Sequence, residues 1–85
     1  TREPAIISID KAGNYYLNFG DDPDKPVSAQ VLVNRVGALL KYRDKLPVLV
    51  KGDVDVPYGR VVEIMALLQL AGVDGIGLVT DTPER

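Results

Sequence analysis

Apolar and polar positions alternate twice near the start of the chain, and then the period changes. In AIISID, Ala5, Ile7 and Ile9 share one face of an extended segment running from Ala5 to Asp10. After Lys11-Ala12-Gly13, the segment NYYLNF sets Tyr15, Leu17 and Phe19 against Tyr16 and Asn18. Two alternating runs around a short loop with a terminal Gly predict a β-hairpin. From Ala29 to Tyr42 the period becomes helical, with Leu32, Val36, Leu39 and Leu40 at i, i+4, i+7 and i+8. Ser28 is a good N-cap for this helix. Arg35, Lys41 and Arg43 lie largely outside the apolar stripe, and Lys41 and Arg43 suit the negative end of the helix dipole.

The second half repeats the strand–helix alternation. Leu46 to Lys51, LPVLVK, is a short β-branched run without polar alternation, which predicts an interior strand covered on at least one side. Gly52 to Pro57 is a connection, and Pro57 fits the first turn of a helix running from about Tyr58 to Ala71. Gly72 is positioned to stop that helix. Ile76 to Thr80, IGLVT, is a further short apolar strand. A strand, a crossover helix and a second strand imply a parallel pair. The order is therefore ββαβαβ. It predicts an α+β fold with a mixed β-sheet and two helices packed on one face. A single domain is expected over residues 5–80, with tails at 1–4 and 81–85.

The second helix carries more apolar surface than one buried face needs. Nine of the eleven residues from Val61 to Ala71 are apolar, interrupted only by Glu63 and Gln69. A surface helix needs an apolar stripe a little over 100° wide. Either the sheet and the first helix bury most of this one, or part of it meets another chain. Open strand edges offer a second route to pairing, because their N–H and C=O groups can take another strand.

Composition narrows the chemistry. The 85 residues include no Cys, no His and no Trp, with a formal net charge of −2 and a pI near 4.9. Disulfides and thiolate metal sites are excluded, and so are Ser/His/Asp and Cys/His catalytic units. A mildly acidic chain lacks the basic signature of a nucleic-acid reader. No apolar run approaches the roughly 20 residues of a membrane helix, and no leader peptide is visible. A domain this small without staples is marginal alone, and dimerisation is one ordinary remedy.

The remaining polar clusters have bland readings. GDDPDKP, Gly20 to Pro26, lacks the ligand alternation and closing Glu of a Ca²⁺ loop and reads as a solvated loop. In KGDVDVPYG, Asp53 and Asp55 follow a strand, where carboxylates can serve metals or acid–base chemistry. No imidazole supports them, and Asp55 can equally cap the next helix. Tyr58 opens that helix and reads as a packed aromatic with a wet hydroxyl. Tyr15 and Tyr16 can stack on a sugar or base, but cross-strand packing explains them as well. No phosphate-cradling glycine motif is present. No catalytic residue, cofactor or metal is expected; a small enzyme or ligand-binding domain using Asp53, Asp55 and Tyr58 is the rival class.

The carboxyl half, VLVKGDVDVPYGRVVEIMALLQLAGVDGIGLVTDTP, resembles the periplasmic domain of the ExbD/TolR family. The resemblance runs through Val56, Tyr58, Val61, Val62, Met65, Ala71, Gly72, Ile76, Gly77 and Leu78 in an ordered spacing. GNYYLN with the acidic loop after it resembles the TolR branch more than the ExbD branch. The resemblance implies a periplasmic domain, dimeric, tethered to one inner-membrane helix outside these 85 residues. That helix would join a TolQ- or ExbB-like channel and carry the proton-responsive aspartate. It further implies TolA-like or TonB-like partners and association with peptidoglycan, with no catalysis in the domain. Together with the surplus-apolar helix, it suggests a dimer or partner interface at Tyr58, Val62, Met65, Ile76, Leu78 and Thr80.

Overall fold

The computed structural model describes residues 3–20, 22–43 and 45–80. Most of the expected tail residues, 1–2 and 81–85, thus lie outside the described residues. Six elements follow the predicted order: β1 (Ala5–Ile9), β2 (Tyr15–Leu17), α1 (Ala29–Tyr42), β3 (Val48–Gly52), α2 (Tyr58–Leu70) and β4 (Ile76–Thr80). They build one four-stranded sheet in the order β2-β1-β3-β4. β1 pairs antiparallel with β2, as in a hairpin, and parallel with β3, while β3 pairs parallel with β4. The fold is α+β with a mixed sheet, as expected.

Burial alternates along the strands, so one sheet face is covered. Ala5, Ile7, Ile9, Tyr15, Leu17, Val48 and Val50 point into the core, where Leu32 and Val36 of α1 meet Val61, Ile64 and Leu68 of α2. The other face carries Ile6, Ser8, Tyr16, Leu49 and Lys51, none of them fully buried. No buried side chain among the described residues is polar, so the core rests on apolar packing.

Local chemistry sets the ends of the elements. The Ser28 hydroxyl accepts the Val31 N–H at 3.1 Å, and α1 spans the residues its apolar spacing predicts. α2 stops at Ala71, where Gly72 takes φ +106°, a left-handed conformation that glycine adopts without strain. β3 begins two residues later than its apolar run. Pro47 has no N–H to give the ladder, although its carbonyl accepts from Ala5 N at 2.9 Å.

The second strand is shorter than predicted, ending at Leu17 instead of continuing to Phe19. The Asn18 side chain takes over the ladder there. Its Oδ1 accepts from Ile6 N at 2.8 Å, and its Nδ2 donates to the Pro4 carbonyl at 2.9 Å. Asn18→Ala strands both backbone groups and is expected to cost about 1–3 kcal/mol in urea unfolding, with Asn18→Asp intermediate. A loss below about 0.5 kcal/mol would show that water replaces both bonds.

Candidate functional site

The helical layer stops short of β4. Val50 of β3 is fully buried, but its register partner Leu78 on β4 is 49% exposed on the same side of the sheet. Ile76, opposite Val48, is partly buried, and Thr80 ends the strand opposite Gly52. β4 pairs only with β3 among the described residues, so its outer edge offers backbone donors and acceptors. No Pro, Lys or other charged residue guards IGLVT. The opposite sheet edge is treated differently: Val27 N donates to Tyr15 O at 2.9 Å, so a bridge covers part of β2.

α2 also leaves apolar side chains uncovered. Tyr58, Val62 and Met65 fall at i, i+4 and i+7 and so share a helix face. Tyr58 is 76% exposed, Val62 47% exposed and Met65 partly buried against the core. Only Val61, Ile64 and Leu68 of this helix are fully buried, and Leu70 is 84% exposed. The surplus seen in the sequence therefore remains at the surface. A packed role for Tyr58 is corrected by the same observation: it stands at the open start of α2.

What anchors the start of α2 is Tyr15. Its hydroxyl donates to the Arg60 carbonyl at 3.3 Å and lies 3.5 Å from Glu63 Oε1, while Arg60 Nη1 pairs with that oxygen at 3.3 Å. Burial, and then the Glu63 carboxylate, raise the Tyr15 pKa. Both effects favour the neutral phenol, the form that donates to the Arg60 carbonyl.

The carboxylates have structural roles. Asp53 Oδ1 accepts from Asp55 N at 2.9 Å, forming the turn after β3. α2 has Pro57 at its N-cap and no side-chain capping bond, so Asp55 does not cap it. Asp53 lines a cleft of about 340 Å³ with Ser8, Ile9, Asp10, Tyr16 and Lys51; neither Asp55 nor Tyr58 joins it. The three residues of the rival enzyme reading are therefore not gathered around one cavity. Among the described residues, no cluster of three or more acidic side chains is placed to hold a metal.

Asp10 organises the hairpin loop. Its Oδ1 accepts from Asn14 N at 2.8 Å and Ala12 N at 3.1 Å, and its Oδ2 accepts from the Tyr16 hydroxyl at 2.9 Å. These bonds, the Asn14 N–H foremost, hold its pKa below the ordinary 3.8, and the Asp10 carboxylate in turn raises that of Tyr16. The stabilisation by ionised Asp10 is present above the unfolded pKa and is lost as pH falls through the lower folded value. The difference in Tm between the wild-type chain and Asp10→Asn should be largest above about pH 4 and shrink as pH drops below it. A difference independent of pH would assign the effect to loop geometry alone.

The described residues form a small α+β domain with a single helical layer, an unguarded β4 edge and apolar residues left partly uncovered on β4 and α2. The sequence matches the family described as biopolymer transport protein ExbD/TolR over residues 1–82, and the chain belongs to that family. It is similar to the Tol-Pal system protein TolR of Pseudomonas aeruginosa, 35% identical over 96% of this chain and 60% of that protein. TolR of Escherichia coli K12 is 30% identical over 91% of this chain and 54% of its own length. ExbD of P. aeruginosa matches at 25% identity over 93% of this chain and 56% of that protein. The chain is thus nearer to TolR than to ExbD, and it spans little more than half the length of these relatives. No helix among the described residues is long and apolar enough to cross a membrane.

Proposed function

We propose that this chain is the periplasmic domain of a TolR-like inner-membrane protein of the Tol–Pal system. In this reading it couples a proton-motive-force-driven motor to outer-membrane integrity and cell division, without catalysis of its own. The domain dimerises and binds peptidoglycan, while TolQ- and TolA-like proteins act on the full-length molecule. The observation that carries the reading is the unguarded β4 edge together with half-exposed Leu78 and Val62 and exposed Tyr58, in a chain nearer to TolR than to ExbD. A second copy of β4 pairing across a twofold axis would satisfy the free edge and bury the apolar residues beside it. Tyr58, Val62, Met65, Ile76, Leu78 and Thr80 are the residues assigned to this interface.

The ExbD match supports a second reading, in which the domain serves a TonB-type uptake complex through ExbB- and TonB-like partners. Co-sedimentation with purified peptidoglycan, run beside capture by TolA-like and TonB-like periplasmic fragments, separates the two. The TolR reading expects the chain in the peptidoglycan pellet. Capture by the TonB-like fragment alone would favour the second.

A further inference from the structure

A cleft of about 240 Å³ lies where the chain leaves β2 and passes α1, away from the residues assigned to dimerisation. Phe19, Ala38, Leu39 and Tyr42 form its apolar lining, and Arg35 and Gly20 complete it. Tyr42 is 87% exposed. The cleft is several water volumes in size, at about 30 Å³ each, enough for one apolar side chain.

Its nearest charges are two arginines: Arg35 lines it and Arg43 stands beside Phe19, while α1 contains no acidic residue. Both arginines are positioned. The Arg43 guanidinium stands 6.0 Å from the Phe19 ring centroid, and its Nη2 donates to the Glu3 carbonyl at 3.0 Å. Arg35 Nη1 lies across Gly20, where any Cβ would come within 2.5 Å of it. Gly20 takes φ +134°, a conformation that favours glycine, and leaves that space to the Arg35 guanidinium. Arg35 also borders a neighbouring hollow with Asp22 and Lys25, and Asp22 is the one described carboxylate lining either space.

We propose that this cleft docks an acidic segment of a partner protein, taking one apolar side chain between Phe19, Leu39 and Tyr42 while Arg35 and Arg43 hold its carboxylates. Charge complementarity selects the segment, because guanidinium forks bind carboxylates bidentately and more strongly beside apolar surface that excludes water. The apolar lining selects an anchor residue, as buried aromatic and arginine contacts dominate small interfaces. This inference does not depend on the TolR reading or on dimerisation.

The test is titration of the ¹⁵N-labelled 85-residue chain with a synthetic acidic decapeptide carrying Phe-Leu at its centre. Amide shifts should concentrate at Gly20, Leu39 and Tyr42, and affinity should fall with added salt. Replacing Phe-Leu by Gly-Gly in the peptide, or Arg35→Gln or Tyr42→Ala in the protein, should each weaken binding about tenfold. Tm of both protein variants should stay within about 2 °C of the wild-type chain, since both side chains are exposed. Absence of shifts at the cleft, or equal binding of a lysine-substituted peptide, would overturn the proposal. Full binding of the Gly-Gly peptide would do so too, because it would reduce the surface to a general polyanion contact.

Discussion

Ile64→Ala is expected to destabilise the domain by about 2–5 kcal/mol, the cost of removing a fully buried aliphatic side chain and leaving a cavity. Ile64 is wholly inaccessible and lies on the α2 face that meets the sheet, with Val61 and Leu68 on either side of it. An 85-residue domain has roughly 4–13 kcal/mol of stability in total, so this one change removes a large share of it. In a domain of this size each kcal/mol shifts Tm by about 4–8 °C, so the midpoint should fall by about 8 °C or more. Leu70→Ala provides the contrast on the same helix. Leu70 is 84% exposed, and its truncation should change stability by less than about 0.5 kcal/mol. Urea unfolding of both variants measures the difference. Equal losses would mean that α2 does not sit on the sheet as described.

Leu78→Lys is expected to have the largest effect on association and little effect on the fold. Leu78 is half-exposed, so a lysine can reach water from a monomer at small cost. Across a twofold interface each substitution occurs twice, placing two ammonium groups where apolar area would otherwise be buried. Dimer dissociation should rise at least about a hundredfold, or roughly 2.8 kcal/mol. The measurement is Tm against protein concentration. Tm of the wild-type chain should climb with concentration, because association stabilises the native state by mass action. The Leu78→Lys curve should be flat and meet the wild-type curve at high dilution. Parallel curves would remove Leu78 from the interface.

Local features were the legible ones. α1 was readable to the residue because a side-chain cap, Ser28, and a helical apolar spacing coincide. α2 was readable for the opposite reason at its other end, where Gly72 must adopt positive φ. What depends on the third dimension was not readable. IGLVT is apolar at nearly every position, and its composition reads the same in an interior strand or an edge strand. Only the limit of the helical layer shows that Leu78, on the helix side of the sheet, is partly uncovered, while Val79 lies on the open face beside Lys51. An aromatic at a helix start suits packing, yet Tyr58 is exposed and the hairpin anchors that start through Tyr15 instead. Asp53 and Asp55 are equivalent in sequence, but only Asp53 closes the turn. The cleft beside α1 needs Phe19 and Tyr42 side by side, which no local pattern announces.

If a second copy of the chain covers the β4 edge and Leu78, as proposed, sedimentation equilibrium at micromolar concentration will give an apparent mass of twice the 9.2 kDa chain, returning to 9.2 kDa in Leu78→Lys. A wild-type chain that remains at 9.2 kDa throughout the concentration range would contradict that pairing.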